Sequence, residues 1–292
     1  MFRGTFTAVV TPLRNGDVDF AALQKLIEGQ IAAGITGIVA VGTTGESPTL
    51  TYDEKHEIIQ RTIKIAKGRC KVIAGAGTNS TRDSTEATKF AEKAGADGAL
   101  LVAPYYNKPS QEGLFRHFKA IAEATKLPIM LYNIPGRCSV DIVPDTVVRL
   151  AENCRNIVSI KEASGSVERV SELRRRLPKE FTILSGDDSL TLPFMSVGAV
   201  GIVSVASNLF PAEVCALVRA CECGDFKSAE TLHWKLYPVF KDLFIEPNPV
   251  PVKTALAWRG AMSFEVRSPL CEMTEANQER LRKTLEAFEK SK

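Results

Sequence analysis

The amino-acid sequence predicts an α/β protein, a (β/α)8 TIM barrel followed by a C-terminal helical extension. Short apolar runs rich in β-branched residues recur eight times along the chain, and segments with helical periodicity separate them. Each run is almost continuously apolar, as expected of parallel strands that are covered on both faces. Eight alternating strand and helix units favour a closed barrel, although an open doubly wound sheet would give the same pattern.

The first three predicted strands have the sequences TFTAVVTP, GIVAVGTT and KVIAGAGT. We place all eight at residues 5–12, 37–44, 71–78, 98–106, 128–133, 157–163, 181–188 and 201–207. Two of the helices between them end at glycines, Gly34 and Gly95. The first helix puts Leu23, Ile27 and Ile31 on one face and ends at Gly34. The phrase KAGADGA repeats this arrangement before the fourth strand.

Two amphipathic segments follow the last predicted strand, KSAETLHWKLYPVFKDLF and TEANQERLRKTLEAFEK. Their periodicity predicts helices that bury one face against the rest of the protein. We therefore assign residues 1–223 to the barrel and residues 224–292 to a C-terminal helical extension that packs on it.

The composition is that of an ordinary globular protein and argues against several classes of function. The formal net charge is +3, and the one tight basic run, at 174–176, lies on a predicted outer helix, so no nucleic-acid partner is expected. No apolar run approaches the roughly 18 residues of a membrane helix. The three histidines form no metal-binding pattern. The seven cysteines lack C-x-x-C spacing, which predicts reduced thiols in a cytoplasmic protein.

Polar residues cluster where the predicted strands end, and in a barrel of this kind the carboxyl ends of the strands carry the functional site. Three of the five tyrosines lie at these ends. The full set is Thr43, Thr44, Glu46, Asn79, Tyr105, Tyr106, Tyr132, Asn133, Arg137, Lys161, Glu162, Gly186, Asp187 and Ser204.

Lys161 ends the apolar run IVSIK, where a charged ammonium is expensive to bury. A structural lysine would pair with Glu162, but neighbours on a strand point to opposite faces, so this pairing is poor. A desolvated lysine loses its proton more easily, and its neutral amine condenses with a ketone to form a Schiff base. Lys161 is therefore the candidate nucleophile, and Lys253, outside the strands, is interpreted as structural.

Two further features indicate carboxylate binding. The segment VGTTGES is a glycine-flanked turn whose N–H groups and hydroxyls suit an anion, and it is too short for a dinucleotide loop. The guanidinium of Arg137, in NIPGR, has a fork that matches a second carboxylate. A plain turn between strand and helix, and an ordinary surface arginine, would give the same two patterns.

Taken together, these residues resemble the dihydrodipicolinate synthase family along nearly the whole chain. The resemblance rests on the segments FRGTFTAVVTP, VGTTGESPTL, PYYNKPSQEGLFRHF, LYNIPGR, IKEASG, LSGDD and EPNPVPVK. It implies a lyase that condenses pyruvate with L-aspartate 4-semialdehyde in diaminopimelate and lysine biosynthesis. It also implies a covalent imine in place of any cofactor, and a homotetramer built from tight dimers.

The resemblance further implies a role for each site residue. Lys161 would form the imine with pyruvate, and Tyr132 would be the general acid and base beside it. Thr44 and Tyr106 would extend Tyr132 into a hydroxyl relay, with Tyr106 supplied across the dimer interface. The substrate-binding residues would be Thr43 and Thr44 for the pyruvate carboxylate, Arg137 for the semialdehyde carboxylate, and the main chains of Gly186 and Val203.

Some family members carry an effector pocket for L-lysine between the subunits of the dimer. The matching positions are Ser47, Pro48, Tyr52, Lys55, Asn79, Asp83 and Tyr105. Members that respond well to lysine typically have histidines at the positions of Tyr52 and Lys55, and a glutamate at that of Asp83. Because Lys55 places a cation where the ammonium groups of the effector must bind, we predict weak or absent inhibition.

Two other functions stay open on the sequence alone. A related pyruvate-dependent aldolase or lyase acting on a 2-keto-3-deoxy sugar acid or on N-acetylneuraminate would share the threonine loop, the tyrosine of the fifth strand and the lysine. A catalytically inactive barrel with a binding role would need none of them. The tyrosine pair of PYYNKP and the arginine of NIPGR favour the semialdehyde over a polyol substrate.

Overall fold

In the computed structural model, which describes residues 2–291, eight parallel strands close into a barrel. They are β1 Gly4–Ala8, β2 Gly37–Ala40, β3 Lys71–Gly75, β4 Gly98–Val102, β5 Ile129–Asn133, β6 Ile157–Glu162, β7 Thr182–Ser185 and β8 Gly201–Ser204. Strand neighbours follow chain order, and β1 pairs with β8 to close the ring. The predicted barrel is confirmed, and the open sheet is excluded.

Helices cover the outside of this barrel and continue into the extension. They are α1 Phe20–Ala32, α2 Tyr52–Ala66, α3 Thr81–Ala94, α4 Gln111–Glu123, α5 Pro135–Cys138, α6 Pro144–Asn153, α7 Val167–Arg176, α8 Thr191–Ser196, α9 Pro211–Glu222, α10 Phe226–Asp242, α11 Val250–Trp258 and α12 Glu275–Lys290. Side-chain caps explain several helix starts. At α2, for example, the Thr51 hydroxyl accepts from the Glu54 N–H, and the Glu54 carboxylate accepts from the Thr51 N–H.

The inside of the barrel is filled with side chains rather than open. The ring of Phe2 packs edge-on against Phe6, with 6.0 Å between centroids. Gly98 leaves space for this plug, since a Cβ there would lie 2.4 Å from the Phe2 ring. Apolar residues from the other strands complete the interior: Val39, Ile73, Leu100, Met130, Leu184 and Val203. The interior is therefore a packed core, and in barrels of this kind ligands bind at the carboxyl ends of the strands.

Helices α10 to α12 pack against the last strand and helix unit of the barrel. One apolar cluster joins Ile202 of β8 and Leu217 of α9 with Leu236 and Phe240 of α10 and Leu281 of α12. The boundary that we predicted between residues 223 and 224 falls in the turn between α9 and α10. It stays a prediction, since this cluster spans it. Of the helices within residues 2–291, none has the length and apolar character needed to cross a membrane.

Candidate active site

Lys161 lies near the end of β6 and is buried, with only 6% of its surface exposed. It stands in register with Tyr132 of β5 and Leu184 of β7. Its Nζ lies 4.0 Å from the centroid of the Tyr132 ring. Gly186 makes room for the lysine stem, because a Cβ at that position would lie 3.0 Å from Cε and 3.1 Å from Cγ. The tyrosine ring and the glycine therefore fix where the amine points.

The charge state of Lys161 follows from this burial. Desolvation lowers the pKa of its ammonium from 10.5 to about 7, the carboxylate of Asp188 acts in the opposite direction, and the Arg137 guanidinium lowers it further. A substantial fraction of the amine is therefore neutral near pH 7, as a nucleophile requires.

Asp188 is a buried carboxylate that sequence reasoning did not single out. The Ser204 hydroxyl donates to its Oδ1, and the N–H groups of Val205 and Ala206 donate to Oδ2 at 2.9 and 3.2 Å. Burial raises the pKa of Asp188 to about 6 even though these donors act to lower it. Our strand-end set contained its neighbour Asp187, whose carboxylate instead caps the next turn through Ser189. Only the tertiary contacts distinguish these two adjacent aspartates.

Glu162, beside Lys161 in the chain, is engaged elsewhere. The Arg169 Nε donates to its Oε2 at 2.7 Å, and the Asn133 amide donates to both carboxylate oxygens at 3.1 and 3.3 Å. Both Asn133 and Arg169 also contact Asp141. Neighbouring side chains on β6 thus have separate environments, and the strand ends are joined behind the site by this buried network.

A cavity of about 210 Å³ opens at the carboxyl ends of β2 to β5. The predicted site residues that line it are Thr43, Ser47, Pro48, Lys55, Tyr105, Tyr132 and Arg137. Thr44, Lys161, Gly186 and Val203 lie outside this lining, and the Tyr132 ring links the lysine to the cavity. Burial raises the pKa of the Tyr132 phenol, while the Arg137 charge and a hydrogen bond with Thr43 lower it.

The loop after β2 has a strained start. Val41 adopts a left-handed conformation with φ 58°, which is unfavourable for a β-branched residue by about 1–3 kcal/mol. Gly75 permits this path, because a Cβ there would lie 2.2 Å from the Val41 carbonyl oxygen. Within residues 2–291, the N–H groups of Thr43 and Thr44 donate to no backbone carbonyl. The loop therefore presents two free donors.

The two threonine hydroxyls differ from the arrangement that the resemblance implies. Thr43 is the threonine whose side chain acts on Tyr132, where it lowers the pKa of the phenol. The Thr44 Oγ1 instead accepts from the Nδ2 of Asn248 at 3.0 Å. Asn248 belongs to the motif EPNPVPVK, which gave a sequence signal, but the spacing of 204 residues between the partners did not predict contact with the loop.

Tyr106 and part of the predicted effector pocket lie apart from the cavity. Tyr106 is 89% exposed in the single chain and does not line the cavity. Tyr52 lies with Lys55 and His56 in a small adjoining cleft. Asn79 and Asp83 line neither space. Asp83 pairs with Arg82, while the carbonyl of Asn79 accepts from the Asn107 amide.

Lys253 is fully buried and paired, in agreement with its interpretation as structural. Its Nζ lies 2.5 Å from the Oε1 of Glu46, and the other oxygen of Glu46 accepts from the Arg267 N–H at 3.0 Å. The pair connects α11 of the extension with the loop that carries Thr43 and Thr44.

Comparison with known proteins agrees with this geometry. Residues 1–288 match the dihydrodipicolinate synthetase family. The 4-hydroxy-tetrahydrodipicolinate synthase of Thermodesulfovibrio yellowstonii is 52% identical over 285 residues, 98% of each chain. The solved structure of the enzyme from Methylacidiphilum fumariolicum SolV matches with a TM-score of 0.99 at 59% identity, covering 99% of this chain and 97% of that one.

A third relative was solved with a ligand. It is the chloride inhibited dihydrodipicolinate synthase from Acinetobacter baumannii complexed with pyruvate, with a TM-score of 0.97 at 45% identity over 99% of both chains. Its similarity and that of the other two relatives extend over nearly the whole sequence. The chain therefore belongs to the dihydrodipicolinate synthetase family.

Proposed function

We propose that the protein condenses pyruvate with L-aspartate 4-semialdehyde to form 4-hydroxy-tetrahydrodipicolinate through a Schiff base on Lys161. The observation that carries this proposal is the buried Lys161, whose pKa is lowered to about 7 and whose Nζ lies 4.0 Å from the Tyr132 ring. Relatives named for this activity share 52% and 59% of their residues with this chain, which supports the proposal.

The chemistry follows from a neutral amine beside a phenol. The Lys161 amine attacks the ketone carbon of pyruvate, and the ketone oxygen leaves as water, which gives an iminium ion. The iminium withdraws electrons, so the methyl carbon loses a proton and becomes an enamine that attacks the aldehyde carbon. Tyr132 carries protons to and from the oxygens. The amino group of the semialdehyde then attacks the iminium carbon, closes the ring and releases Lys161.

Two groups of hydrogen-bond donors support the binding of two carboxylates. The free N–H groups of Thr43 and Thr44 suit the carboxylate of pyruvate, the ligand bound by the Acinetobacter baumannii relative. The Arg137 guanidinium, at the wall of the cavity, suits the carboxylate of the semialdehyde. Gly186, directly after β7, lies against the stem of Lys161, and the main chain of Val203 in β8 completes the proposed site.

We also propose that the protein acts as a homo-oligomer. Tyr106 is 89% exposed and directly follows the cavity-lining Tyr105, which is consistent with its entering the site of a neighbouring subunit in a homotetramer of tight dimers. The seven cysteines are all free thiols, which is consistent with a protein that functions in the reducing cytoplasm.

Reduction with borohydride in the presence of pyruvate tests the imine. We expect a stable adduct whose peptide map places it on Lys161, and we expect Lys161→Ala to abolish trapping and lower turnover by orders of magnitude. Lys55→Ala, which removes a lysine that does line the cavity, should still form the adduct. An adduct in Lys161→Ala would show that another lysine is the nucleophile.

The second substrate is tested separately. The coupled assay should show condensation with L-aspartate 4-semialdehyde and no pyruvate release from 2-keto-3-deoxy sugar acids or N-acetylneuraminate. The reverse result would identify the related aldolase, and no adduct with pyruvate at all would identify an inactive barrel.

A further inference from the structure

Asn248 connects the two groups to which we assign the substrate carboxylates. It lies in the segment between α10 and α11 and is buried, with 6% of its surface exposed. Its Nδ2 donates to the Thr44 Oγ1 at 3.0 Å, and its backbone carbonyl accepts from the Arg137 Nη2 at 3.4 Å. One residue of the extension thus contacts both the loop after β2 and the short helix after β5.

Filling space does not explain an asparagine at this position. Within residues 2–291, the Asn248 side chain makes one hydrogen bond, to Thr44. Its buried Oδ1 has no hydrogen-bond partner there. Leaving a buried acceptor unpaired is unfavourable, whereas an apolar side chain of similar size would avoid the problem. The amide is therefore better explained by its contact with the threonine.

The direction of this hydrogen bond determines what Thr44 can do. A hydroxyl carries one proton and accepts through its lone pairs. Because Asn248 is the donor to the Thr44 oxygen, the hydroxyl proton of Thr44 is left for a different acceptor. The backbone N–H of the same residue is also free of any backbone carbonyl within residues 2–291. Both donors of Thr44 can then serve one anion.

We propose that Asn248 is a positioning residue that holds the Thr44 hydroxyl as a donor toward the pyruvate carboxylate. This inference rests on the proposed function and extends it, because it makes the C-terminal extension part of the substrate site. The buried pair of Lys253 with Glu46 supports it, since the extension then anchors the same loop at two places.

The first test is Asn248→Ala, which removes the amide but keeps the backbone carbonyl that Arg137 contacts. Borohydride trapping across a range of pyruvate concentrations should show half-saturation raised about three- to tenfold, the effect of one lost hydrogen bond. The KM for semialdehyde should stay within about twofold of the wild-type value. Asn277→Ala is the matched control, because its half-buried amide donates to Glu246 within the extension, so the substitution should leave both values unchanged.

The second test shows whether Asn248 acts through Thr44. In a Thr44→Val background, Asn248→Ala should have no further effect on pyruvate half-saturation. Asn248→Asp keeps the shape but can only accept from Thr44, so its half-saturation should rise more than that of Asn248→Ala; it also serves if the alanine variant does not fold.

The outcomes separate the two proposals. If the wild-type protein fails to trap pyruvate, the proposed function falls. If it traps pyruvate but Asn248→Ala matches it at every concentration, or if Asn248→Ala has the same effect with and without Thr44, only the role of Asn248 is overturned.

Discussion

Two opposing effects set the pKa of the Lys161 amine. Burial lowers this pKa, and the charge of the Asp188 carboxylate raises it. Desolvation dominates and brings its pKa to about 7, while Asp188 limits the shift. The charged or titratable groups that act on this amine are Asp188 from the turn after β7 and Arg137 from α5, and the Tyr132 ring lies against it. The reactivity of the amine is thus set by the surroundings of one side chain.

The pH dependence of pyruvate trapping should show this balance. Imine formation needs the neutral amine, so its initial rate should rise between about pH 6 and pH 8 and then level off, since the pKa is about 7 rather than 10.5. Asp188→Asn removes the charge that raises this pKa, so the midpoint should move to lower pH. The amide can still accept from Val205 and Ala206 and donate to Ser204.

The adjacent carboxylate provides the control for that experiment. Asp187→Asn changes the same charge one residue away, but Asp187 is not among the groups that shift the pKa of Lys161, so its midpoint should stay near that of the wild type. An unmoved or raised midpoint in Asp188→Asn would contradict the role that we assign to its charge.

The loop after β2 is held by elements that are distant in the chain. Glu46 has a left-handed φ of 57° and is buried with its carboxylate against Lys253 of α11 and the N–H of Arg267. Arg267 also donates to the Thr49 carbonyl and to Glu54 of α2. The loop therefore owes its shape to charged contacts between elements and not to its own sequence alone.

Removing one partner of the buried pair should be strongly destabilising. Lys253→Met leaves the Glu46 carboxylate buried without its cation, and we expect a loss of about 3–5 kcal/mol in the free energy of unfolding, measured with urea at fixed protein concentration. The double variant Lys253→Met with Glu46→Gln should recover part of this loss.

A surface pair offers the comparison. Lys283 and Glu279 lie 3.2 Å apart, with side chains 73% and 58% exposed, so Lys283→Met should cost less than about 1 kcal/mol. Equal losses in Lys253→Met and Lys283→Met would mean that burial of the inner pair does not matter.

The barrel and its extension form one molecule with a shared core. The apolar cluster that joins β8 and α9 to α10 and α12 would be exposed if the extension separated, and the contacts of Asn248 and Lys253 with the loop after β2 would be lost. We therefore propose that residues 224–292 unfold together with the barrel.

The positions of the two tryptophans allow this to be measured. Trp234 lies in α10 and Trp258 ends α11, so tryptophan fluorescence reports the extension, whereas far-UV circular dichroism reports mainly the barrel. In urea the two signals should change at the same midpoint, as expected for a cooperative unit. A fluorescence transition at lower urea would show that the extension unfolds first.

Regulation by L-lysine depends on the surface of the whole assembly, and we expect it to be weak. Lys55 lines the cavity, and burial lowers the pKa of its ammonium because the charge is partly desolvated. Two unit charges about 5 Å apart repel by roughly 3 kcal/mol at an effective dielectric near 20. The coupled assay should therefore show little inhibition at sub-millimolar lysine.

A paired substitution tests the cause of this weak inhibition. Tyr52→His with Lys55→His replaces the lysine ammonium by a group with an unperturbed pKa of about 6.5, so inhibition by lysine should become stronger at neutral pH. Half-inhibition of the wild type at tens of micromolar lysine would refute the electrostatic argument.

The sequence by itself determined the barrel and the family, and it singled out Lys161 as the candidate nucleophile. Short, almost continuously apolar runs and amphipathic runs of period 3.6 are local properties, and eight repeats of them leave few ways to bury every apolar face. Lys161 could be recognised from the same local pattern, because a lysine at the end of an apolar strand interrupts it. The threonine loop and Arg137 were also found, because the carboxyl ends of parallel strands meet at one end of a barrel.

Only the tertiary structure decided which polar atoms meet across long separations in the chain. The charge of Asp188 rather than that of Asp187 acts on the Lys161 amine, and Thr43 rather than Thr44 lowers the pKa of Tyr132. Asn248 donates to Thr44 across 204 residues of sequence. Hydrogen bonds depend on distances and angles within a few tenths of an ångström. Periodicity places a residue on a strand or helix face, but only the packed fold brings its atoms within that range of one partner and away from another.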